Sequence, residues 1–399
     1  MQSAAIQKEG ITMSSITVTM LGLSGTGKTH ACKSLFRMME RENSDHKIYL
    51  TADGSTFQEK MENTDLIRNY APETRDRFTR SGTEGVWELP LALCVNFRKN
   101  LPNYPILKIP VLDYAGGIVQ TVARGIREDE DYEAQQNAKK LLDSILESDV
   151  LMLLADANIL SENPEPNASL NQIRDAIGRN INDIFMNLVE LYDSDFISRQ
   201  RTVVLMLTKC DSNLIDDSLA KDSYCGLIAR ATTVFKPILE VCRQYDWPFA
   251  VIPTSACGNG NAHTTRAEFG RYTSMLDPSV EMEPYGFDIA FLYGLMAELR
   301  YRIDNKIDNS AVATDTSMLD KKQRQIVERE TRKENNQKWR LYQELYDFLH
   351  EHLDALLDSP RGTCVIDEKS TPFFAQDAVA RKRSVWEMIW EKIIEIFSL

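Results

Sequence analysis

Eight residues near the start of the chain, Gly22-Leu23-Ser24-Gly25-Thr26-Gly27-Lys28-Thr29, match G-x-x-x-x-G-K-[ST] in full. An apolar run, Ile16 to Leu21, precedes them, and a helical pattern from Thr29 to Glu40 follows. That strand–turn–helix setting is the one the motif needs. Bare backbone N–H groups from Gly25 to Thr29 can close around a phosphate because no Cβ intrudes. The N-terminus of the next helix adds its positive dipole end. Lys28 would reach the β- and γ-phosphates of a nucleotide, and the Thr29 hydroxyl would be a ligand of Mg²⁺. His30 can add its backbone N–H to the α-phosphate.

Base recognition needs a second set of residues. The apolar run Val203 to Leu207 ends in Thr208-Lys209-Cys210-Asp211. A carboxylate just past a strand end can accept the ring N–H and the exocyclic amine of guanine, and adenine offers no such pair. Asp211 is therefore the expected reader of the base, with the Lys209 stem along the ring. The next strand ends in Thr254-Ser255-Ala256, where the Ala256 N–H can meet the guanine carbonyl.

A third set faces the terminal phosphate. Asp113-Tyr114-Ala115-Gly116-Gly117 closes another apolar run. Asp113 suits a contact to Mg²⁺ through water, and Gly116 can present its N–H to the γ-phosphate. Upstream, the Thr83 hydroxyl can complete the Mg²⁺ shell, with Thr79 and Ser81 competing for that role. Any hydrolysis would rest on Lys28, Thr83 and Gly116.

The elements that must position these residues read as strands alternating with helices, which implies a largely parallel sheet covered on both faces. Strands are expected at Ile16–Leu21, Val86–Phe97, Ile106–Asp113, Val150–Ala157, Thr202–Thr208 and Phe249–Pro253. That makes about six, one of them antiparallel. Pro90 predicts an edge position for its strand, and Pro110 predicts an irregular ladder beside it. Helices are expected at Tyr132–Glu147, 170–192, Tyr224–Tyr245 and Phe287–Ile303. Residues 41–85 give no clear pattern, and Cys257–Glu283 reads as a polar loop. The expected organisation is a nucleotide-binding domain over 14–304, a small polar linker over 305–320, and a helical region over 321–399.

The 399 residues carry a net charge of -13, with 43% hydrophobic and 26% charged. A balance this acidic argues against generic nucleic-acid binding. The seven cysteines show no C-x-x-C spacing. Neither a zinc site nor a disulfide framework is expected, and a reducing cytoplasmic setting is. Met1 to Ser15 lacks the pattern of a secretory leader. The last fifteen residues, VWEMIWEKIIEIFSL, set Trp386, Ile389, Trp390, Ile393 and Phe397 against a stripe of Glu387, Glu391 and Glu395. An acidic face disfavours a membrane surface. Packing on the chain's own core is expected first and a protein partner second. The helix expected over Lys321–Asp358 is read the same way, with pairing to a second copy as the alternative.

The four motifs in this order resemble the Ras-like GTPases of the translation-factor class. Thr83-x-Gly85 and Asp113-x-x-Gly116-Gly117 look most like the Arf and Rag branches. Trp87-Glu88-Leu89-Pro90, Asp113-Tyr114-Ala115-Gly116 and Asp156 are similar to bacterial Ras-like domains of the double-GTPase type, found in conflict and secretion gene neighbourhoods. The resemblance spans about residues 14–304. It implies a Ras-like α/β fold, GTP/GDP and Mg²⁺ as ligands, and a switch acting on a protein effector through loops around Thr83 and Gly116. One position departs: Arf and Ras relatives carry a water-orienting glutamine where this chain has Gly117. A scaffold that binds GTP without turning it over, or an ATP-using enzyme, are the rival expectations.

Overall fold

The structure, a computed structural model, describes residues 15–23, 25–39, 48–54, 57–70, 86–95, 105–126, 131–161, 179–192, 196–210, 225–258, 262–268, 271–276, 283–305, 321–357 and 365–366. Its strands are β1 (Val18–Leu21), β2 (Ile48–Ala52), β3 (Val86–Val95), β4 (Pro105–Tyr114), β5 (Val150–Asp156), β6 (Thr202–Thr208), β7 (Phe249–Pro253), β8 (Ala262–Glu268), β9 (Arg271–Leu276) and β10 (Val365–Ile366). Its helices are α1 (Lys28–Met38), α2 (Phe57–Tyr70), α3 (Gly116–Arg124), α4 (Tyr132–Glu147), α5 (Ala157–Ser161), α6 (Arg179–Leu191), α7 (Cys225–Val234), α8 (Lys236–Gln244), α9 (Phe287–Asn305) and α10 (Lys321–Leu357).

One eight-stranded sheet runs β10-β7-β6-β5-β1-β4-β3-β2. Strands β4, β1, β5, β6 and β7 are parallel. Every residue of β1, β5, β6 and β7 is buried, as helices on both faces require. Side chains alternate between the two sides. Val150, Met152 and Leu154 join the cluster under α1, α9 and α10, with Leu35, Phe291, Leu295, Tyr342 and Leu349. Leu151, Leu153 and Ala155 join the cluster under α4, α6 and α8, with Leu141, Phe185, Ile238 and Trp247. The pairs Asp156↔Thr208 and Leu207↔Pro253 bring the ends of β5, β6 and β7 to nearly one level, while β1 stops lower, at Leu21↔Leu153, and leaves room above it for the loop that follows. β1 lies between β4 and β5, and the chain, which builds β2, β3 and β4 on one side of it, crosses to the other side between β4 and β5. That reversal makes a crevice above β1, where open α/β sheets bind ligands.

The sheet is wider than the six strands expected. β2 comes from the stretch that gave no pattern, and it pairs antiparallel with β3 from Ile48↔Val95 to Ala52↔Leu91. β3 is therefore internal, which corrects the edge position expected from Pro90. The β3–β4 ladder is regular through Pro90↔Pro110, which corrects the irregularity expected there; its one register shift lies between Leu93 and Cys94. The reason is geometric. Asp53 N–H donates to the Pro90 carbonyl and Ile16 N–H to the Lys108 carbonyl. Each proline's backbone groups thus face the outer neighbour, β2 or β1, and the two prolines meet at a non-hydrogen-bonded pair. Neither missing N–H falls within their shared ladder.

Three further differences have simple causes. The expected polar loop after Cys257 contains the hairpin β8–β9, paired from Ala262↔Leu276 to Glu268↔Arg271. The expected single helix over 224–245 breaks into α7 and α8, with proline at the second helix's first turn, where it lacks the N–H to continue the ladder. β10 adds antiparallel to β7 at Val365↔Val251 and Ile366↔Ala250. The helix expected over 170–192 is described only as α6, and the closing segment VWEMIWEKIIEIFSL lies outside the described residues. Cys32, Cys94, Cys210, Cys242 and Cys257 are buried thiols. Among the described residues no helix is long and apolar enough to cross a membrane.

Opposite the crevice, at the N-terminal ends of the strands, lies a buried charge network. Asp149 Oδ2 accepts from Thr17 N–H at 2.9 Å and from Arg302 at 3.1 Å, and Arg199 pairs with its other oxygen. Arg302 Nε donates to Glu298 at 2.6 Å. Arg201 donates to the carbonyls of Ile145, Leu146 and Ser148, satisfying the end of α4. Burial and the nearby Asp149 charge push Glu298 up to about 7 from 4.5. The folded chain then holds this proton where the unfolded chain releases it. The associated stability is present below about pH 4.5 and fades as pH rises through about 7. In Glu298→Gln, which keeps an acceptor for Arg302, that part of the decline should vanish. Denaturant titrations at several pH values between about 5 and about 8 would reveal it. Parallel pH profiles for the two proteins would contradict the assignment.

Candidate functional site

The loop after β1 is shaped by what its backbone cannot tolerate. A Cβ on Gly22 would sit 2.5 Å from Thr26 Oγ1 and 3.1 Å from Leu154 Cβ. Gly27, at the N-cap of α1, has φ 93°, where side-chain-bearing residues are strained. The Leu23 carbonyl accepts both the Thr26 N–H at 3.3 Å and the Thr26 hydroxyl at 2.9 Å, which closes the turn. Ala31 N–H donates to the Gly27 carbonyl at 2.8 Å and starts the helix.

Lys28 lies inside this loop. Its ammonium donates to the carbonyls of Gly22 at 2.8 Å and Leu23 at 3.0 Å, and sits 5.1 Å from the centre of the Tyr114 ring. Burial pulls it down to about 8, against the opposing pull of Asp113. The His30 side chain is pushed down to about 4, first by burial and then by Lys33 and Lys209. It is neutral at neutral pH.

Two other strand ends reach the loop. Asp113, fully buried at the end of β4, accepts the Thr29 hydroxyl at 2.8 Å on one oxygen and the Tyr114 N–H at 3.0 Å on the other. The Tyr114 hydroxyl in turn accepts the Gly22 N–H at 3.2 Å. Burial pushes this phenol well above its ordinary range, so it stays neutral. Gly116, two residues on, opens α3. From β6, the Thr208 hydroxyl donates to the Thr26 carbonyl at 2.7 Å. Lys209 follows with φ 63°, and its ammonium meets Asp156 Oδ2 at 2.5 Å.

The β7 end completes the rim. Cys210 N–H donates to the Thr254 carbonyl at 3.1 Å. Ser255 is fully buried, and its hydroxyl accepts the N–H groups of Cys257 at 3.2 Å and Gly258 at 2.7 Å. Its backbone exchanges two hydrogen bonds with Tyr285. Ser255 thus holds the turn that presents Ala256.

Gly22, Gly25, Thr26, Gly27, Lys28, Thr29, His30, Asp113, Gly116, Thr208, Lys209, Ser255 and Ala256 all lie along this one edge of the sheet. Ser24, Thr83 and Asp211 fall outside the described residues, as do Thr79 and Ser81. Two contributors had no role assigned from sequence: Tyr114, which braces the first glycine, and Asp156, which holds Lys209. Both belong to the motifs that carry the family resemblance, Asp113-Tyr114-Ala115-Gly116 and Asp156, but the sequence attaches no task to either side chain. Among the described residues no group of three or more His, Cys, Asp or Glu side chains is suited to a metal. A cation here would rest on Thr29, Asp113 and oxygens of a ligand.

A phosphate loop between β1 and α1, with β4 and β5 flanking β1 and antiparallel β3 beside β4, defines a Ras-like P-loop α/β fold. Solved structures with partial likeness include three. One is the signal recognition particle receptor SRb-GTP/SRX complex from Chaetomium thermophilum, at 15% identity and TM-score 0.31, covering 61% of this chain and 92% of that one. Another is the S. cerevisiae Ski7 GTPase-like domain bound to GTP, at 16% and 0.25, covering 62% of this chain and 44% of that one. A third is Aquifex aeolicus Era bound to GDP·AlF4⁻, at 12% and 0.25, covering 72% and 67%. This chain therefore spans less than half of the Ski7 chain. A scan of protein-family models and a search of curated proteins gave no match. The fold assignment stands on the strand order and the loop.

Tyr114→Phe keeps the ring and removes the acceptor of a buried N–H. It should cost about 1–3 kcal/mol of stability, measured by denaturant unfolding. A loss near zero would mean the Gly22 amide finds another partner.

Proposed function

We propose that the chain binds guanine nucleotides with Mg²⁺ and acts as a nucleotide-controlled switch for a protein partner. The observation that carries this reading is the Thr208 hydroxyl on the Thr26 carbonyl, at 2.7 Å. It ties the strand end at Thr208-Lys209-Cys210, just before Asp211 in the sequence, directly to the phosphate loop, so one ligand can span both. The amides of Gly25, Gly27, Lys28 and Thr29 and the start of α1 bind phosphate oxygens. Lys28 exchanges its carbonyl partners for the β- and γ-phosphates. Asp211 and the Ala256 N–H read the purine edge.

The residues present fit Mg²⁺. A hydroxyl and a carboxylate stand 2.8 Å apart, and hard oxygen donors suit this ion. Thr29 would hold it directly and Asp113 through water, with Thr83 completing the set. The ion, when bound, neutralises charge on the two terminal phosphates. Gly116 can offer its N–H to the γ-phosphate, which makes the segment leading into α3 responsive to that group. The partner surface would be this segment, the loop around Thr83, and the C-terminal helices.

Binding with Mg-GTPγS and Mg-ATPγS tests the reading. Calorimetry should give a preference of at least about tenfold for the guanine nucleotide, and Asp211→Asn should erase it. A preference for adenine would favour an ATP-using enzyme, and an unchanged preference in Asp211→Asn would displace Asp211 as the base reader.

A specific observation favours slow or absent turnover. Gly117 has no side chain to orient water. A Cβ there would meet nothing within 4 Å, so the backbone admits a side chain at this position. Gly117→Gln should raise single-turnover phosphate release from GTP by about tenfold or more. An unchanged rate at saturating GTP would refute a role for this position.

A further inference from the structure

Asp156 ends β5 opposite Thr208 of β6, and its side chain is only 7% exposed. Its two oxygens have different tasks. Oδ1 accepts the Asn158 N–H at 3.0 Å and closes the turn into α5. Oδ2 accepts the Lys209 ammonium at 2.5 Å. Lys209 itself has a left-handed backbone, φ 63°, a conformation that a β-carbon disfavours and that surrounding contacts must hold. Its position is set from the other side by Thr208, whose hydroxyl is shared between the carbonyls of Thr26 and Ala155. Lys209 is thus fixed at both ends, at its Cα by the strand end and at its Nζ by a nearly buried carboxylate. Between them run four methylenes, and the side chain keeps 32% of its surface open. A stem held in this way offers a flat apolar strip to a planar ring.

We propose that Asp156 is a positioning residue for the nucleotide base, anchoring Lys209 so that its stem forms one wall of the purine slot. This rests on the guanine-nucleotide reading above. An unanchored lysine must lose its rotamer freedom when the base arrives, whereas this one has lost it on folding. Asp156 acts on the base and sugar end of the ligand and has no part in gripping phosphate.

Three probes separate these contributions: Mg-GDP, Mg-GTP and Mg-tripolyphosphate, which carries phosphates and no base. Asp156→Asn keeps an oxygen for Asn158 and loses the charge that holds Lys209. It should weaken GDP and GTP by about tenfold each and leave tripolyphosphate within about twofold. On a Lys209→Met background, which keeps the stem and lacks the ammonium, Asp156→Asn should add little further loss. Equal weakening of all three probes would show a merely structural carboxylate and overturn the inference, as would undiminished GDP binding. If Asp156→Asn melts below the assay temperature, Lys209→Met carries the same test: base-confined weakening supports the anchor, and undiminished GDP binding overturns it. Wild-type protein that binds tripolyphosphate but gains nothing from guanosine would instead overturn the guanine reading itself.

Discussion

Everything at the site depends on three parallel strands held in a single register. β1, β5 and β6 are held in register residue by residue, Val18↔Val150 and Val150↔Thr202 at one end, Leu21↔Leu153 and Asp156↔Thr208 toward the other. A slip of one residue would turn every side chain to the opposite face, and both faces are packed, so burial enforces the register. Given it, Gly22, Asp156 and Thr208 come to one edge with little freedom left. The bonds among loop, Asp113, Tyr114, Thr208 and Lys209 then fix details within a frame the apolar core has already set.

The two ends of the sheet handle polarity in opposite ways. At the N-terminal ends, Asp149, Arg199, Arg302 and Glu298 satisfy one another, and Arg201 satisfies the end of α4. Such networks are costly to break and weak as sources of net stability. Their value here is to close the bottom of the fold without leaving a backbone carbonyl or strand-end amide unpaired. At the other end, donors and acceptors lie at the rim of a crevice, and Lys28 is held there by two carbonyls, an arrangement that an anionic ligand can displace.

The central fold was legible because fully buried strands announce themselves as apolar runs, and the turns after β1, β4 and β6 carry residues that have few other reasons to stand there. α9, expected over Phe287–Ile303, runs to Asn305, and its near-continuous apolar run from Phe287 to Leu299 is what makes it legible. β2, the β8–β9 hairpin and β10 were not read. A five-residue strand such as Ile48–Ala52 gains its pattern only once β3 exists to pair with it, and a two-residue strand carries none. Pro90 misled because the β2–β3 ladder stops at Ala52↔Leu91, so the N–H that this proline lacks falls just beyond its last paired residue. Tyr114 and Asp156 escaped assignment because bracing a loop and holding a lysine depend on three-dimensional neighbours 92 and 53 residues away.

α9 is buried on nearly all sides, from Phe287 to Leu299, with the sheet and α1 beneath it and α10 above. A surface helix in this position would keep one polar flank. Here that flank is given up to Leu341, Tyr342, Leu345, Tyr346, Leu349 and Leu353 of α10. A chain cut between these two helices would therefore present an oily ridge to water, inviting self-association. The smallest portion able to stay dispersed on its own must extend through residue 357.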